Sequence, residues 1–198
     1  MVSRSRREVI CPVVPAWGVP LEAPRVEIVG DSLLVVRWCQ GAWQLKEKRF
    51  QPYVQECVNK MMRLQDVRIC APRCQTSWWI RHVPREFNAR ADELAKTCLR
   101  SGAPYAFCSA CGQRPIAISV HFDGGHKDGR GSSAWTMSCA VDISYQWQII
   151  AEAATYHKQD ATSVSAEMIA CWQASRALEQ YLLHRSIQFD ADGSVHAA

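Results

Sequence analysis

The chain has 198 residues, 48% of them hydrophobic and 21% charged. That suits one domain with a sizeable core and argues against a disordered chain. No apolar stretch approaches the roughly 20 residues of a membrane-spanning helix, and a net charge of +4 leans only mildly toward a polyanionic partner. Residues 1–24 read as an arm. Arg4, Arg6 and Arg7 sit among serines, and Pro12, Pro15, Pro20 and Pro24 oppose the long amphipathic helix of a mitochondrial presequence, so a flexible basic tail is expected.

Arg25–Gly30 (RVEIVG) is a short, largely apolar run with the character of a buried strand. It ends in Gly30-Asp31-Ser32, and Leu33, Leu34, Val35, Val36 and Trp38 then open a helix. An Asp at the end of a buried strand stands where open α/β sheets place ligand chemistry, although a capping Asp has the same appearance. Gly41–Arg49 is a basic connector. Its Trp43, Lys46, Lys48 and Arg49 suit a phosphate backbone as well as they suit a solvated linker. Phe50, Val54, Cys57, Val58 and Met61 mark a second amphipathic helix with Pro52 in its first turn. Val67–Cys70 and Ser77–Arg81 read as extended segments around a Pro-containing loop.

Next comes Arg81–Leu94, RHVPREFNARADEL. Asn88 suits a helix cap. Ala91, Leu94, Ala95, Cys98 and Leu99 form one apolar helical face. Asp92 falls in the first turns, where backbone N–H groups favour an anion, and His82 falls on the loop before. Residues 101–115, with Gly102, Pro104, Gly112 and Pro115, read as a linker. Ile116–Asp123 alternates with a period of two, which sets Asp123 on the face opposite Ile118, Val120 and Phe122. Gly124-Gly125 and a charged turn lead into strands at about 133–141 and 147–156, an antiparallel meander. A helix starts near Ser163–Ser165 with Glu167 in its first turn. The closing Ile187–Gly193 repeats the pattern of Val26–Ser32, with Asp192 where Asp31 stands.

Ten cysteines at irregular spacing, without a secretory signal, point to reduced thiols in an intracellular protein, nuclear or cytoplasmic. Cys70, Cys74, Cys108 and Cys111 offer a further possibility, a zinc-stapled interaction module.

As a set, these pieces resemble the ribonuclease H family (the RNase H-like superfamily, type 1 domain) with the motifs in circularly permuted order. Phe122-Asp123-Gly124-Gly125 resembles the family's opening strand. Ser165-Ala166-Glu167 resembles its acidic helix start, and Ile28–Ser32 followed by Leu33–Val36 resembles its second Asp strand. His82–Ala95 resembles the histidine loop and last Asp, with the His-to-Asn and Asn-to-Asp spacings intact. The fold implied is an RNase H-like mixed five-stranded sheet flanked by helices. Residues 25–100 are the C-terminal half and 116–198 the N-terminal half.

The activity implied is hydrolysis of the RNA strand of an RNA–DNA hybrid with two Mg²⁺ or Mn²⁺ ions. Asp123, Glu167, Asp31 and Asp92 are the implied ligands, and His82 assists proton movement or product release. Gly124, Gly125, Ser32, Trp43, Lys46, Lys48, Arg49 and Asn88 are the implied nucleic-acid contacts. Leu33, Gly129, Ser163 and Val164 depart from residues common in the family. They touch the substrate side and leave the metal ligands alone. Two arrangements follow: one permuted domain, favoured as a monomer, or a window cut from tandem units whose halves swap in a dimer. Asp31 and Asp192 compete for one place in the site, and a catalytically inactive nucleic-acid-binding remnant of a retroelement is the alternative function.

Overall fold

The computed structural model describes residues 8–10, 25–66, 78–109, 115–141, 146–157, 161–184 and 186–196. The basic and proline-rich stretches of the arm, Val67–Cys70, Cys74 and Cys111 lie outside the described residues. The chain is α/β. Its strands in order are β1 (Glu8–Ile10), β2 (Arg25–Gly30), β3 (Trp78–His82), β4 (Tyr105–Cys108), β5 (Ala117–Lys127), β6 (Arg130–Ala140), β7 (Trp147–His157) and β8 (Ser186–Gln188). Its helices are α1 (Leu33–Cys39), α2 (Gln51–Asp66), α3 (Ala89–Ser101) and α4 (Ser163–His184).

Six strands make one mixed sheet in the order β3-β2-β5-β6-β7-β4. β2 runs parallel to both β3 and β5, and β5, β6, β7 and β4 are antiparallel. The junction between the two halves of the chain is therefore a parallel ladder, with Val26 opposite Ile118 and Gly30 opposite Phe122.

Strand alternation sorts the side chains onto two faces. Ile118, Val120, Phe122, Trp135 and Met137 join the main core with Val35, Val36, Met61, Met168 and Leu178 from α1, α2 and α4. Ala134 and Ala154, each one residue away from a main-core position, meet Leu94, Ala95 and Cys98 of α3 instead. Helices thus cover both faces, and α4, buried along most of its length, follows no single apolar stripe. No helix among the described residues is long and apolar enough to cross a membrane.

Three features differ from the sequence expectation. The sheet has six strands, because Tyr105–Cys108, inside the expected linker, pairs with β7 as an edge strand. Within the expected arm, Glu8–Ile10 pairs antiparallel with Ser186–Gln188 in a separate two-stranded sheet. That pairing takes up the closing segment, and β2 alone fills the place beside β5. Asp192 instead accepts hydrogen bonds from the backbone N–H and hydroxyl of Ser194, closing a local turn.

Candidate metal centre

Asp31 follows directly on β2, Asp123 lies within β5, and Glu167 sits in the opening turns of α4. The parallel β2–β5 register brings the first two side by side. Two local devices bring the third. Thr162 and Ser165 cap α4 reciprocally: the Ser165 N–H donates to Thr162 Oγ1 at 3.1 Å, and the Thr162 N–H donates to Ser165 Oγ at 2.7 Å. Gly124 then lets the helix press onto the strand, since a Cβ there would lie 2.2 Å from the Glu167 nitrogen. Gly30 is needed in the same way, because a Cβ would sit 2.3 Å from the Phe122 ring.

The result is three carboxylates whose ligand atoms all lie within 4.8 Å of one another. Burial and the charge of Asp31 push the Asp123 carboxyl up to about 8. Burial, then the charges of Asp123 and Asp31, push Glu167 up to about 9, although Gly124 gives it a backbone hydrogen bond. Glu167 Oε2 is buried with no hydrogen-bond partner among the described residues. A set of hard oxygen donors with an orphaned carboxylate oxygen and mutual repulsion fits a divalent cation of the magnesium or manganese type.

Asp92 stands beside this trio rather than in it. One oxygen accepts from Arg85 (Nε at 3.0 Å, and Nη2) and the other from Lys96 at 2.5 Å. Burial pushes its carboxyl up, but Lys96 and Arg85 outweigh burial and hold it below the ordinary value. The Lys96 contact was legible as an i,i+4 pair on a helix. The Arg85 contact depends on how the preceding turn folds back, which spacing does not specify.

His82 is the last residue of β3 rather than part of a loop, and its Nε2–H donates to the Asp31 carbonyl at 3.1 Å. Asn88 stands at the N-cap position just before α3, but its side chain makes no cap bond. The amide N–H group donates to Asp31 Oδ1 at 3.1 Å and to the Phe122 carbonyl at 2.8 Å, and its oxygen faces His121 Nδ1 at 3.3 Å. Asn88 is 1% exposed, and its amide holds Asp31 in position. Gly124 and Gly125 are likewise close-packing positions: a Cβ on Gly125 would meet Ser132 Oγ at 2.6 Å. Ser32 precedes α1 and makes no side-chain cap bond.

Trp43, Lys46, Lys48 and Arg49 are exposed between α1 and α2. Arg49 is occupied by Glu47 and lies over the Phe50 ring. Of the four cysteines considered for zinc, only Cys108 is described.

No protein-family model matches the chain, and no curated protein matches it. Among solved structures the chain is similar to a PelC dodecamer from Paraburkholderia phytofirmans. The identity is 11% over 91% of this chain and 97% of that one, with a TM-score of 0.29. A likeness at that level carries no argument about fold or function.

Proposed function

We propose that the protein is a metal-dependent endonuclease of the RNase H type that hydrolyses the RNA strand of RNA–DNA hybrids. The observation that carries this reading is the convergence of Asp31, Asp123 and Glu167 within 4.8 Å at the end of the parallel β2–β5 pair. The order β7-β6-β5-β2-β3, an antiparallel meander followed by parallel strands, supports the RNase H-like reading of a permuted chain, as does the joining of both sequence halves in one sheet.

Asp31, Asp123 and Glu167 would hold a divalent cation, which would supply water activation and charge neutralisation at a phosphodiester. The chain's own residues do the rest. Asn88 fixes Asp31 Oδ1 in place. Glu167 and Asp123, both raised above the usual carboxylate range by burial and neighbouring charge, would be held ionised by a bound cation. Arg85, exposed and bonded to Asp92, also feels the charges of Asp123 and Asp31 and would meet a scissile phosphate on leaving Asp92. His82, exposed and tied through Nε2–H to the Asp31 carbonyl, would assist proton movement or product release.

The trio fits one ion. For a second ion, which the family resemblance implies, Asp92 would be the added ligand, and it is held by Arg85 and Lys96. Trp43, Lys46 and Lys48 follow α1, whose 7 residues run about 10 Å, and would offer an exposed basic and aromatic surface to the duplex backbone.

The experiment is a labelled RNA–DNA hybrid incubated with the protein and Mg²⁺, with Asp123→Asn as control. Cleavage of the RNA strand by the wild-type chain alone is expected. The engagement of Asp92 by two cations favours a second reading, a binding protein without catalysis, and hybrid retention with no cleavage in Mg²⁺ or Mn²⁺ establishes that reading instead.

A further inference from the structure

Three cysteines from three helices converge in the main core. Cys39 closes α1, Cys57 lies within α2, and Cys171 stands one turn after Glu167 in α4. All three are buried, and their sulfurs lie within 4.8 Å of one another. The Cys39 and Cys171 sulfurs are 4.0 Å apart. An ion held in a plane by three sulfurs at about 2.3 Å spaces them about 4.0 Å apart, so this pair already has the spacing of trigonal thiolate coordination. The Ser175 hydroxyl lies 3.7 Å from Cys57 Sγ and sets its surroundings.

We propose that Cys39, Cys57 and Cys171 form a three-coordinate thiolate site for a soft d¹⁰ cation, copper(I) by class. Soft sulfur ligands select copper(I) over hard cations. Structural zinc takes four ligands, and this group holds three sulfurs with no histidine or carboxylate among them. Each sulfur that binds as thiolate releases its proton to solvent. The ion arrives already reduced, so no electron moves. Because the sulfurs are closed off from solvent, the ion enters as the helices open or as the chain folds, and its binding adds to folding stability. It ties α1, which follows Asp31, to α4, which carries Glu167. The site does not depend on the nuclease reading.

The test uses the reduced full chain under anaerobic conditions, loaded with copper(I) as its acetonitrile complex in the presence of a competing copper(I) chelator. The wild-type chain should retain one more ion than Cys39→Ala/Cys57→Ala/Cys171→Ala, because the other seven cysteines are common to both. X-ray absorption should show three sulfur neighbours at about 2.3 Å, and the melting temperature should rise by several degrees. Cys57→Ala alone removes one core atom and is the gentler variant. It should lose both the ion and the melting shift. Equal copper content in wild type and variants overturns the site, as does a loaded wild-type chain that melts unchanged. An equal melting shift with zinc(II) overturns the copper(I) assignment.

Discussion

Asp123 and Asp92 lie close enough for the charge on one to raise the carboxyl of the other, yet their surroundings act in opposite senses. Asp123 is buried among Asp31 and Glu167, and no cation is hydrogen-bonded to the trio among the described residues. Asp92 is gripped by Arg85 and Lys96. The protein thus neutralises Asp92 with its own side chains and leaves Asp31, Asp123 and Glu167 for a cation to neutralise. Three carboxylates confined with only the nearby Arg85 charge to oppose them cost folding free energy and are retained where a ligand offsets them.

The largest effect that separates the two regions is on catalysis. Asp123→Asn or Glu167→Gln should lower hybrid cleavage by at least about 10³-fold, the loss expected when several kcal/mol of metal-derived stabilisation disappears. Asp92→Asn should fall short of that loss if the trio is the principal site. Single-turnover cleavage rates measure the gap, and equal losses would place Asp92 on the same footing as the trio.

Stability against pH gives the next separation. Asp123 and Glu167 have folded-state values of about 8 and about 9, above their ordinary 3.8 and 4.5. The folded chain therefore binds more protons, and its metal-free stability falls as pH rises from about 4.5 toward 9. Asp92 is depressed below its ordinary 3.8. Its contribution is present above that value and is lost as pH falls through the folded value. Urea melts across pH in EDTA should show the first slope in the wild-type chain and a flatter one in Asp123→Asn. An unchanged slope in the variant would remove Asp123 as the source.

Asn88→Ala should destabilise by about 1–3 kcal/mol, since the Phe122 carbonyl and Asp31 Oδ1 lose a buried donor. It should also weaken Mg²⁺ binding by loosening Asp31. Calorimetric titration alongside denaturant melts checks both, and a stability loss with Mg²⁺ affinity intact would leave Asn88 a purely structural group.

The smallest effect is Asp92→Asn on stability at neutral pH. Arg85 and Lys96 are 64% and 52% exposed, so solvent screens the pairs and about 0–1 kcal/mol is expected. Its sign is opposite to that of Asp123→Asn in metal-free protein, and paired thermal melts in EDTA read that contrast.

Much of the strand and helix order was legible because period-two and helical spacing reflect which face a residue buries. Ile118, Val120 and Phe122 against Ser119 and His121 is one such case, and the polar members indeed hydrogen-bond to Glu27 and Asn88. β4 was hidden because four residues, YAFC, sit among Gly102, Pro104 and Gly112, whose turn chemistry dominates a short window. The β1–β8 pair joins two three-residue strands from opposite ends of the chain, and no local pattern encodes that. Asn88 has the propensity of a cap, and only the tertiary approach of Phe122 and Asp31 diverts its side chain. The three thiols of the core occupy apolar helical positions, so sequence alone shows them as packing residues. Their convergence depends on how α1, α2 and α4 meet.

The central claim is that Asp31, Asp123 and Glu167 await a divalent cation. It is tested most directly by thermal melts of wild-type and Asp123→Asn protein at neutral pH, in EDTA and in Mg²⁺. Mg²⁺ should raise the wild-type melting temperature. Asp123→Asn should melt higher than wild type in EDTA, by about 2–4 °C for each kcal/mol of repulsion relieved, and should lose most of the Mg²⁺ shift. A wild-type chain whose melting temperature is the same in EDTA and Mg²⁺ would contradict the account.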